Sequence, residues 1–157
     1  MSDDDLSGLK KEIDEVEHQA ARTVELGGRA VIISVAVFVL IVGYLLPWMG
    51  NAPGWEVLLH QGDAAGKAGM VPRLFAATAL LFGVFASALA LITRRWGLTW
   101  VCALGCWFAS VDGLLAIWTR QSVAGLTSPG PGIGLVISEA AMVVLGVLWF
   151  RTAWSRL

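Results

Sequence analysis

Asp112 and Glu139 stand where acidic side chains are rare, each inside a long run of otherwise apolar residues. A carboxyl group in apolar surroundings either holds its proton, binds a cation or meets a basic partner, because the bare charge is costly there. Asp112 precedes Arg120 by eight positions and Glu139 follows Gly132 by seven. On helices that is a rise of roughly 12 Å and 10 Å, so in antiparallel helices the two acids lie at similar depth. Gly105, Asp112 and Thr119 recur every seven residues, as do Gly132, Glu139 and Gly146. Each acid is thus flanked by small residues suited to a helix contact, which places both in a bundle interior. One reading is a protonatable or cation-binding site, modulated by Arg73, Arg120, Lys67 or His60. The other is structural: each acid pairs with Arg73 or Arg120, or stays protonated and hydrogen-bonded to a serine or a backbone carbonyl. The structural reading weighs more, since transporters usually carry more spans, internal repeats or broken helices.

The remaining chemistry-bearing residues yield little. Cys102 and Cys106, four apart in an apolar run, are poorly oriented for a disulfide and have no histidine to complete a zinc site, so they read as small packing residues. His18 and His60 are isolated, and neither is assigned to metal or haem. The stretch from Ser128 to Gly134 is rich in glycine and proline but lacks the lysine of a phosphate loop, and it reads as a turn ahead of a helix. No nucleophile beside a base and no cofactor fingerprint is present, so neither an enzyme nor a cofactor is expected.

The elements that must hold the two acids follow from length and composition. Apolar side chains make up 57% of the 157 residues, charged ones 15%. Four segments, about 30–49, 74–93, 96–119 and 132–150, are each near the roughly 20 residues that cross a bilayer core. The expected fold is all-α: a membrane domain over 29–157, built as a four-transmembrane-helix bundle. Eight Lys and Arg (Lys10, Lys11, Arg22, Arg29, Arg94, Arg95, Arg151, Arg156) fall on one side of these segments and three (Lys67, Arg73, Arg120) on the other. That bias predicts a multi-pass plasma-membrane protein with both termini cytoplasmic and the bilayer as its partner. Trp48, Trp55 and Trp118 would mark the outer interface, Trp96, Trp100, Trp149 and Trp154 the inner one, with Trp107 packing between helices. Small residues at four-residue steps, among them Ala79, Gly83 and Ser87, predict close helix contacts.

Before residue 29 the chain changes character, with eight of its twelve acids there. Leu6, Leu9, Ile13, Val16 and Ala20 step by three and four, so 1–28 is expected to be an acidic amphipathic helix. Its apolar stripe is a candidate face for a protein partner or for self-association. Ser2 and Asp5 fit a cap. Without a dense Lys/Arg stripe, nucleic acid is excluded as a partner.

Several stretches then carry a family resemblance: Leu45-Leu46-Pro47 through Gly50-Asn51-Ala52-Pro53-Gly54-Trp55-Glu56-Val57-Leu58, Ile92-Thr93-Arg94-Arg95-Trp96, Ala116-Ile117-Trp118-Thr119-Arg120-Gln121 and Pro129-Gly130-Pro131-Gly132. From about Gly28 onward the chain resembles a family of small four-span integral membrane proteins of actinobacteria, mycobacterial in type, with no established function. The resemblance implies a plasma-membrane location and brings no substrate, cofactor or catalytic residue. The function expected is that of an accessory or scaffolding subunit of a larger membrane complex, with a small ion- or proton-coupled transporter using the buried acids as the alternative.

Overall fold

The structure, a computed structural model, describes residues 2–22, 27–123 and 130–155. Among them, helices account for nearly all regular structure. Helix α1 spans Asp3–Arg22. At its start the Ser2 amide and hydroxyl both donate to Asp5 Oδ2, at 3.4 and 3.0 Å, which occupies a donor the first turn leaves free. Leu6, Leu9, Ile13 and Val16 are exposed along one face of this helix. The side chain of Ala20, and Thr23 to Leu26, lie outside the described residues.

Helix α2 spans Gly27–Leu45. It stops before the expected residue 49 because Pro47 has no amide hydrogen to donate and disfavours helical geometry in the residue before it. The chain instead forms strand β1, Pro47–Met49, paired antiparallel with β2, Ala52–Pro53, around Gly50 at φ +56°. Helix α3, Gly54–Leu59, ends on His60 in the left-handed conformation (φ 58°), with the amides of His60 and Gln61 donating to the carbonyls of Val57 and Glu56. Those two bonds close the helix end, so His60 is a helix terminator. A single-turn helix α4, Asp63–Gly66, follows.

Helix α5, Met70–Thr93, begins four residues earlier than expected, since Pro72 sits in its first turn, where a missing amide costs nothing. Its middle, Ala79–Ala86, widens into a π-helix. Arg94, at φ 51°, ends it, and only Arg94 and Arg95 separate it from α6, Trp96–Val123. Helix α7, Ile133–Trp154, completes the described chain. It packs between α2 and α6, while α5 packs along α6.

Small residues set these approaches. A Cβ on Gly134 would lie 2.6–2.7 Å from the carbonyl oxygens of Leu46 and Gly43, so α7 crosses the end of α2 almost backbone to backbone. Gly105 lies against the Phe82 ring, and Gly83 against Leu40 and Met142. Two tryptophans expected at opposite membrane interfaces are instead fully buried, because each finds a partner for its N–H inside the fold. Trp48 Nε1 donates to Gly43 O at 2.9 Å, and its ring stacks on Phe75 and meets Tyr44 edge-on. Trp149 Nε1 donates to Ser87 Oγ at 2.9 Å, and Ser87 donates to Phe82 O within the widened turn. Trp107, expected between helices, has an exposed side chain, its ring 3.6 Å from where Gly146 would carry a Cβ.

The outer faces of the long helices are apolar, with Val35 and Phe38 on α2, Phe85 and Ile92 on α5, Leu104 and Phe108 on α6, and Val136 and Val144 on α7 all exposed. Among the described residues four helices, Gly27–Leu45, Met70–Thr93, Trp96–Ser122 and Ile133–Trp154, are long and apolar enough to cross a membrane. A surface of this kind requires cover in water.

Candidate functional site

Where α6 and α7 face one another, the bundle buries its two unusual acids. Asp112 on α6 is 7% exposed and Glu139 on α7 5%. Their surroundings differ. Asp112 Oδ2 accepts a hydrogen bond from Thr78 Oγ1 of α5 at 3.5 Å, a hydroxyl that also lies 3.0 Å from Leu74 O. Glu139 has no hydrogen-bond partner for either carboxylate oxygen. It rests on Gly113 of α6, its Oε2 filling the space where any larger residue would place a Cβ, with the Phe75 ring beside that point. Gly113 is therefore the residue that admits Glu139 to the interface, a dependence that helix spacing alone does not reveal.

Burial pushes the Glu139 carboxyl up from its ordinary 4.5 to about 7. Burial likewise raises Asp112, and the bond from Thr78 opposes that rise. The carboxyl that lacks a donor is thus the one most easily held neutral near physiological pH.

Neither basic residue expected to pair with these acids does so. Arg73 is exposed on α5. Arg120 is buried to 6% exposure, and its Nε has no hydrogen-bond partner. The hydroxyls of Ser110 on α6 and Ser138 on α7 are also buried without partners. The expected pairing of each acid with an arginine, or with a serine or carbonyl, is replaced by Thr78 for Asp112 and by apolar packing for Glu139. Cys102 and Cys106 are free, buried thiols, pushed up by burial to about 12 and so held as unreactive neutral groups. Among the described residues no three His, Cys, Asp or Glu side chains gather to hold a metal.

Comparison with known proteins adds what the geometry lacks. The family model described as the MiaB C-terminal domain matches residues 10–157. A tRNA-2-methylthio-N(6)-dimethylallyladenosine synthase of Mycobacterium avium is 43% identical over 153 residues, which is 96% of this chain and 21% of the relative. The chain thus spans about a fifth of the length of the curated relative it matches. No solved structure matches the chain.

These findings correct the reading of the sequence. The matching family is that of the MiaB C-terminal domain, in place of a four-span membrane family without established function. The relative is named as a synthase of a modified tRNA nucleoside, which overturns both the accessory membrane subunit and the transporter, together with the expectation that no enzyme is involved. The plasma-membrane location, cytoplasmic termini, bilayer partner and transmembrane class rested on helix length, composition and charge bias. A helix apolar all round satisfies the first two equally when buried in a larger protein, so these assignments are withdrawn in favour of an all-helical C-terminal domain. The exclusion of nucleic acid also falls, because it counted cationic contacts on this chain alone while the relative is almost five times as long.

Proposed function

Because the chain belongs to the MiaB C-terminal domain family, we propose that it serves the 2-methylthiolation of N6-dimethylallyladenosine in tRNA, as the helical domain of that enzyme system. The observation that carries this reading is the 43% identity over 96% of the chain to a synthase of that modified nucleoside. Three features of the fold support a division of labour in which this domain positions and stabilises while other parts of the system carry the chemistry. Its carboxyls Asp112 and Glu139 are buried, its thiols are held neutral, and no metal-binding group forms among the described residues. Helix α1 carries seven acids against Lys10, Lys11 and Arg22. Such a helix repels phosphate, so contact with tRNA falls to surfaces outside α1.

The test is reconstitution. Methylthiolation of dimethylallyladenosine-containing tRNA is followed with the synthase assembled with this chain and without it. The proposal expects turnover, or apparent affinity for tRNA, to fall when the chain is omitted and to recover when it is restored. Identical kinetics in both assemblies would overturn it.

A further inference from the structure

Glu139 is a buried acid with nothing to satisfy it, and its position singles out what it can bind. Both oxygens lack partners, the side chain is 5% exposed, and it lies on the Gly113 backbone at the α6–α7 contact. Ser110, one turn before Gly113 and on the same side of α6, is 3% exposed with its hydroxyl also unpartnered. Around them α6 brings Asp112, already bonded to Thr78, and Arg120 two turns further on. Helix α5 brings Phe75 and Thr78, neither of which titrates, and α2 brings Tyr44, whose hydroxyl donates to Ala76 O at 2.7 Å. Neither Glu139 oxygen hydrogen-bonds to any of these groups. A hard metal cation needs several oxygen ligands, and no three-acid group is present among the described residues. A proton needs only the carboxylate.

We propose that Glu139 is a proton-binding site that governs how tightly α7 packs on α6. Neutral, the carboxyl seats against Gly113 and Phe75 as an almost apolar group. On ionisation the proton leaves to solvent, and the carboxylate draws away from the apolar contact toward the Ser110 hydroxyl or water, which loosens the helix pair. The inference stands on the geometry of this chain and is independent of the tRNA reading.

Infrared spectroscopy of the 157-residue chain in detergent solution tests the first half, because a protonated carboxyl has its own carbonyl stretch. The wild type is expected to show a protonated-carboxyl band that titrates near neutral pH, that Asp112→Asn keeps and that Glu139→Gln lacks. A neutral-pH band as strong in Glu139→Gln as in wild type, or a Glu139-dependent part that titrates in the ordinary carboxylate range, overturns the site. The coupling is read at Cys106, which lies on the same interface, its Cβ 3.6 Å from where Gly146 would carry one. Maleimide labelling of this thiol above the titration midpoint should be about tenfold faster in wild type than in Glu139→Gln at the same pH, one unit's worth of opening. Comparison at one pH cancels the thiol's own ionisation. Equal rates in the two proteins would show that the proton does not control the packing.

Discussion

Trp48 holds the corner where α2, the short hairpin and α5 meet, and its truncation should be among the most damaging single changes in the chain. The indole is fully buried, donates to Gly43 O at 2.9 Å, stacks on Phe75 with ring centres 5.3 Å apart and meets Tyr44 at 5.1 Å. A Cβ on Gly54 would lie 2.5 Å from the indole, so the ring is also clamped from the α3 side. Trp48→Ala removes the buried ring for about 3–5 kcal/mol. The two ring pairs add about 0.5–1.5 kcal/mol each. With a loss near 5 kcal/mol, the midpoint of thermal unfolding should drop by about 10–20 °C in a chain of this size. Trp48→Phe keeps a ring against Phe75 and Tyr44 but loses the donor, and should cost only about 1–2 kcal/mol. Trp118→Ala, at a residue 67% exposed, is the control and should stay within about 0.5 kcal/mol. Thermal unfolding followed by circular dichroism separates the three. A shift for Trp48→Ala no larger than that for Trp118→Ala would refute the claim that this corner holds the bundle together.

Two further predictions concern the buried acid. Glu139 binds its proton more tightly folded than unfolded, so its contribution to stability is fully present below about 4.5 and is lost as pH rises through about 7. Across that window the wild type should lose about 3 kcal/mol relative to Glu139→Gln, and parallel pH profiles in denaturant unfolding would contradict the assignment. Gly113→Ala places a methyl group where Glu139 Oε2 lies, and it should destabilise by about 1–3 kcal/mol, with partial recovery in the double variant Gly113→Ala, Glu139→Ala. Additive losses in the pair would show that the two side chains do not compete for one space.

Much of the helical framework was legible because its signals are local. Apolar runs, Arg94-Arg95 and the glycine and proline positions locate the long helices to within a few residues. The boundaries moved where proline acts: Pro47 ended α2 early, while Pro72 was absorbed into the first turn of α5. The burial of Asp112 and Glu139 could be read from heptad spacing with small neighbours. Their partners could not, since Thr78 reaches Asp112 from a third helix and Gly113 matters only through what α7 lays against it. Trp48 and Trp149 were misplaced because interfacial position is an average preference, and in each case a particular acceptor inside the fold outweighs it. Function was least legible of all. Composition pointed away from an enzyme, and the likeness to a tRNA-modifying synthase, of which the chain spans about a fifth, came from the comparison and not from any residue pattern.

The most direct test of the account is the nucleoside composition of tRNA from cells in which this chain has been removed. The account predicts that 2-methylthio-N6-dimethylallyladenosine falls and N6-dimethylallyladenosine accumulates, with the ratio restored when the chain is supplied again. An unchanged ratio in cells lacking the chain would contradict it.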